Sequence, residues 1–294
     1  MSLSSLAVTF TSRRGEAHKR APRLAVVAAV AALFGASSVA HELQAHAEPA
    51  TRAAVLADSA DRLRAAYPDH IKAVRDGQII FRDGTTMPFD DGQGPKSHSE
   101  WLAAPDVEDM LAQPYVPGPV TAPPGVDFEP GRARNDAFFS KIYGDCRAGA
   151  VTGKLVDVVW LRSKSGVKLK VTSVNGVSRR LEAVSRALDA LPKRFDAYLT
   201  PPAGTYNCRQ VAGTNRLSAH GYGIAIDIAT SEADYWRWSR PGHDGTPRWR
   251  NRIPYEIVAI FEAHGFIWGG KWHHYDTMHF EYRPELLAPT ATLD

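Results

Sequence analysis

The sequence predicts an α+β fold: an antiparallel sheet with helices packed beside it, preceded by an N-terminal extension. Three observations carry this reading. Helical and strand-like patterns are intermixed without the repeated strand–helix alternation of a doubly wound sheet. Within Ser178–Leu191, Leu181, Val184, Leu188 and Leu191 fall on one helix face and Pro192 ends the run. Short apolar or alternating runs of strand length, 155–161 and 167–174, flank the turn at Ser163–Gly166.

Taken in order, the chain opens with a basic stretch ending at Arg23, then the uncharged apolar run Leu24–Phe34. Small residues follow, with Ser38-Val39-Ala40 and Ala45-His46-Ala47 both suited to signal cleavage. This order predicts a signal peptide over 1–47 and an exported, periplasmic or cell-envelope protein. The apolar run falls short of the roughly 20 residues of a comfortable membrane span, so no integral span is expected after cleavage. The Arg13-Arg14 pair lacks the flanking residues of a twin-arginine signal.

An extension over 48–130 comes next. A helix is expected at 53–67, stopped by Pro68, and then hairpin strands over 71–89 at Asp76-Gly77 and Asp83-Gly84. Residues 113–130 are proline-rich and read as an extended linker. The remaining domain, 131–294, has helices expected at 135–143 and 255–264 and strands at 224–228, 266–268 and 278–282.

Charge excludes one function class. Five of the 35 basic residues and two of the 32 acidic residues lie in 1–47, so the remainder carries 30 of each. A chain without basic excess gives no support to nucleic-acid binding. Cys146 and Cys208 either close a long loop as a disulfide or remain buried thiols, and an oxidising compartment favours the bridge.

The chemistry concentrates in two segments. In Asn207–Ile228, alternation places Asp227 on one face of an apolar strand, where a carboxylate needs a compensating cation. Gly221 and Gly223 let the chain turn so that His220 reaches the same point. In Trp268–Tyr282, His279 lies on a strand three residues after Asp276. Two histidines and a carboxylate form a three-ligand zinc set with a fourth position left for water, and a second carboxylate is needed to take the water's proton.

The run Ser218-Ala219-His220-Gly221-Tyr222-Gly223-Ile224-Ala225-Ile226-Asp227 resembles the zinc-ligand signature of the VanY-type D-alanyl-D-alanine carboxypeptidases and their dipeptidase and L-alanyl-D-glutamate endopeptidase relatives. Trp268-Gly269-Gly270 followed by Asp276, His279, Phe280 and Glu281 is similar to the endopeptidase branch. The resemblance implies a hedgehog-like fold and a Zn2+ cofactor on His220, Asp227 and His279. It further implies Asp276 as general base, Arg209 as the arginine steadying the substrate carbonyl, and a peptidoglycan peptide as substrate. Glu281 shares a strand face with His279 and is either a rival base or its support. Ser218 is expected to hydrogen-bond near the ligands, since no nucleophile elbow surrounds it. His273 and His274 adjoin the site as alternative ligands or substrate contacts, with a solvated loop as the rival account for at least one of them, and Trp268 is expected to support the ligands or touch substrate. Trp236, Trp238 and Trp249 line a glycan groove or pack in the core. The rival function is a non-catalytic, zinc-stabilised module that binds peptidoglycan.

Overall fold

A computed structural model describes residues 52–240, 242 and 245–287. The expected signal peptide therefore lies outside the described residues. Among those described, no helix is long and apolar enough to cross a membrane.

Among the described residues every strand pairing is antiparallel, and the strands form three small sheets. After α1 (Arg52–Ala66), strands β1 (Ile71–Arg75), β2 (Gln78–Phe81) and β3 (Thr86–Pro88) make a meander. The short helix α2 (His98–Ala103) was not expected; Ser97 and Glu100 close a capping box at its start. The 113–130 stretch holds no helix or strand. These residues share one hydrophobic core with the rest of the unit Ala50–Asp294, through Leu63, Tyr67, Ile79, Phe81 and Tyr115. Buried hydrogen bonds from Tyr67 to Glu285 and from Tyr115 to Glu262 join distant parts of the chain.

Helix α3 (Asp136–Tyr143) begins where the Asn135 side chain accepts the Phe138 amide and buries Phe138, Phe139, Ile142 and Tyr143. Strands β4 (Leu155–Trp160) and β5 (Val167–Thr172) pair as a hairpin, and α4 (Val177–Asp189) packs its apolar face on them. A single-turn helix, α5 (Asp196–Leu199), leads towards the site. The third sheet has the order β6 (Ala225–Asp227), β8 (His279–Tyr282), β7 (Phe266–Trp268). It is backed by α6 (Tyr255–Ala263), whose Phe261 stacks on Phe280 at 3.8 Å, and the chain turns into α7 (Pro284–Leu287).

Cys146 and Cys208 form a disulfide. Closing a loop of this length stabilises by about 4 kcal/mol on the chain-entropy model. It also ties the loop carrying Arg209 to the segment that follows α3.

Candidate metal centre

The register of the third sheet makes the site. Asp227 pairs directly with His279, and Ala225 with Glu281. Side chains alternate across a strand, so Asp227, His279 and Glu281 share one face while Ile226 and Phe280 turn into the core.

His220 arrives from a one-turn 3₁₀ helix, Ala219–Tyr222, whose start is capped by the buried Ser218 hydroxyl. Ser218 thus acts on the backbone beneath the ligand. Glycine is favoured within this turn at Gly221 and required at its end at Gly223. A Cβ on Gly221 would meet Leu217 Cδ1 at 2.9 Å, and Gly223 has φ +69° with Thr172 N only 3.0 Å from its absent Cβ.

The three ligand candidates converge. His220 Nε2, Asp227 Oδ1 and His279 Nδ1 lie between 2.9 and 3.3 Å from one another. His220 Nδ1 is 2.5 Å from the Thr205 carbonyl, which can only accept, so this nitrogen carries the proton and Nε2 is free as a donor to a metal. His279 Nε2 is 3.2 Å from Glu281 Oε2, leaving Nδ1 to face Asp227. Burial opposes a charge on His279, but hydrogen bonds to Asp227 and Glu281 outweigh it and hold its pKa up at about 10. The pocket favours positive charge at the point where the three ligand atoms meet. Two imidazoles, a carboxylate and oriented outer partners fit a zinc ion.

Two other groups of carboxylates, Asp90–Asp91–Asp106 and Asp106–Glu108–Asp109, also cluster. Neither has a nitrogen donor, and Lys96 already lies 2.8 Å from Asp91 and 2.5 Å from Asp109.

Asp276 and Glu281 separate cleanly. Glu281 is fully buried behind His279 and is held by Arg134 at 3.1 Å and Arg283 at 3.0 Å. Burial would raise its pKa, but Arg134, His279 and Arg283 hold it well below the usual carboxylate range. It supports His279 from behind. Asp276 lines the cleft with Oδ1 buried and unpartnered among the described residues. Burial pushes its pKa up to about 6, with His279 opposing and Asp227 reinforcing the shift.

The Trp268-Gly269-Gly270 run shapes the loop that presents Asp276. Gly269 O accepts the Asp276 amide, and a Cβ on Gly269 would sit 2.6 Å from Asp276 O. A Cβ on Gly270 would strike the Trp268 ring at 2.1 Å. Trp268 itself is buried on the core side, donating to the Thr277 carbonyl at 2.9 Å.

Arg209 lines the cleft but is exposed, its guanidinium bonded among the described residues only to the Gln210 carbonyl at 3.3 Å. His274 pairs with Glu129 at 2.7 Å, and the His273 amide donates to Phe128 O; neither imidazole joins the ligand group. Among the tryptophans, Trp238 is 60% exposed, Trp236 packs edge-on against His274, and Trp249 donates to Gly270 O.

Several contributors were not singled out from the sequence for their place here: Thr205, Arg132, Arg134 and Trp272. Trp272 lies 5.6 Å from the His279 ring, and Arg132 stacks over it. The alternation of Arg132 and Arg134 just before a capped helix was the available signal for the two arginines.

A family model described as D-alanyl-D-alanine carboxypeptidase matches residues 212–282. The matched stretch contains His220, Asp227, Asp276 and His279, and it supports both the resemblance to the VanY-type enzymes and a peptidase of that kind. No curated protein and no solved structure matches the chain.

Proposed function

We propose that this chain is an exported zinc peptidase that hydrolyses peptide bonds in peptidoglycan stem peptides or cross-links. The observation that carries the reading is the convergence of His220 Nε2, Asp227 Oδ1 and His279 Nδ1 beside an unpartnered Asp276 oxygen. Zinc on these three residues would supply a Lewis acid for the scissile carbonyl and lower the pKa of its water to about 7.

The protein's own groups do the rest. Thr205 and Glu281 fix which nitrogen each histidine offers. Asp276, near neutral in its titration, takes the proton of the attacking water and returns it to the departing amine. Arg209, without a carboxylate partner among the described residues, turns its guanidinium towards the substrate carbonyl and stabilises the charge that develops there. The disulfide supports export, since such bridges persist in oxidising compartments. An available base argues for catalysis over the non-catalytic module.

Zinc-loaded protein incubated with purified peptidoglycan should release peptide fragments or free amino acids, identified by mass spectrometry. Excess chelator should abolish release and zinc restore it. Intact peptidoglycan in the presence of bound zinc would favour the binding module, and release that survives chelation would remove the metal.

A further inference from the structure

The end of the extension runs directly against the loop that carries Asp276. Phe128 O accepts the His273 amide at 2.9 Å, and Pro130 O accepts Trp272 Nε1 at 2.8 Å. Arg132 Nη1 donates to His274 O at 2.7 Å. At the centre of these contacts is Glu129, a carboxylate with no solvent exposure. Its Oε1 accepts the His274 amide at 2.9 Å, lies 2.7 Å from His274 Nδ1, and takes Arg132 Nη1 at 2.9 Å. Its Oε2 lies 3.0 Å from His98 Nε2, at the start of α2. Burial would raise the Glu129 pKa, but His274 and the charge of Arg132 outweigh it and hold the value down at about 2. A buried carboxylate persists as an anion only when its partners are in place, so Glu129 and the groups bonded to it share one geometry.

Two routes lead from Glu129 to the site. Through His274 it pins the backbone two residues before Asp276. Through Arg132 it sets the guanidinium that stacks over the Trp272 ring at 5.4 Å, and that ring lies 5.6 Å from His279. Arg132, Trp272 and Asp276 all line the cleft. The loop is gripped from its other side as well, where Trp236 N donates to Tyr275 O and Tyr235 pairs with Asp276. That second grip lies inside the stretch matched by the family model, 212–282, whereas Glu129 and Arg132 lie before it.

We infer that Glu129 is a positioning residue for Asp276 and Trp272, so that the end of the extension is a functional wall of the cleft and not a passive linker. The inference rests on the peptidase reading above, in which Asp276 must meet the attacking water. Glu129 touches neither water nor substrate and acts through His274 and Arg132. A base displaced by about 1 Å can lose on the order of 10²-fold in rate, so a rigid hold on this loop has a catalytic consequence.

The test compares three variants of the full chain. Glu129→Gln keeps the shape but removes the charge, and Glu129→Asp keeps the charge on a shorter arm. Leu63→Ala opens a cavity beneath α1, in the same core, and serves as the control for lost stability alone. Turnover of soluble peptidoglycan fragments by zinc-loaded protein is measured well below each melting temperature, together with zinc content. In Glu129→Gln, kcat should fall about 10–100-fold with KM and zinc content little changed. Glu129→Asp should recover part of the loss, and Leu63→Ala should lower the melting temperature while leaving kcat as in the parent. Amide hydrogen exchange over 270–278 should rise in Glu129→Gln but not in Leu63→Ala, with the β4–β5 hairpin as internal reference. An unchanged kcat in Glu129→Gln, or an equal loss in Leu63→Ala, would overturn the inference. A parent protein that turns over no fragment would remove the peptidase reading, and exchange then decides alone. Selective loosening of 270–278 would keep Glu129 as the residue that sets this loop, and unchanged exchange would overturn it.

Discussion

The two sides of His279 are built on opposite terms. Behind the ring lies a buried ionic chain: Glu281 with Arg134 and Arg283, Arg283 with Glu285, and Glu285 with the Tyr67 hydroxyl. Glu281, Arg283, Glu285 and Tyr67 have no solvent exposure. In front lie Asp276, with one oxygen unpartnered, and Arg209 and Arg216, which bond to carbonyls and have no carboxylate partner among the described residues. Buried charges persist only when paired, so the back is a rigid support. Groups left unpaired in a cleft are those available to a ligand. The contrast is sharpest between Asp276 and Glu281, carboxylates on adjoining segments whose pKa values move in opposite directions.

The largest test of the contrast removes the front carboxyl. Asp276→Asn should lower kcat by about 10²–10⁴-fold, the usual range for a lost general base. The zinc content, measured by atomic absorption after dialysis, should not change. A near-normal rate would return the base role to Glu281.

The same change at the back should read out differently. Glu281→Gln should weaken zinc binding about 10–100-fold, because the carboxylate that orients His279 is lost. It should also lower the melting temperature, since Arg134 and Arg283 lose their shared anion. A competition titration against a chelator measures the first effect and calorimetry the second. Unchanged affinity would mean that the strand alone orients His279.

The front of this site was more legible in the sequence than the back. His220, Asp227, Asp276 and His279 stand in short local patterns, and alternation alone put Asp227 on a separate face from its isoleucine neighbours. Gly221 and Gly223 were readable as turn residues, although Cys146 Sγ and Thr172 N, which crowd the space a side chain would need there, belong to distant segments. The support for His279 is long-range. Arg134 reaches Glu281 across 147 positions and Tyr67 reaches Glu285 across 218, and no local pattern encodes such pairs. Thr205 contributes through its backbone carbonyl, which the residue type does not reveal. The facing of Arg216 towards the cleft depends on the pairing of Gln210 with Leu217, which no local pattern reveals.

The smallest expected effect concerns pH, and its sign follows from the direction of the Asp276 shift. A base must be deprotonated to act, and burial has raised the pKa of this carboxyl to about 6. A bound dication favours the ionised form and so moves the value back down. The acid limb of kcat/KM should therefore fall at or below about pH 6, with activity lost about tenfold per unit beneath it. Asp276→Asn should lack this limb in whatever residual rate it keeps, while Glu281→Gln should retain it. A limb that vanishes in Glu281→Gln would place the titrating base behind His279 and reverse the assignment of the two sides.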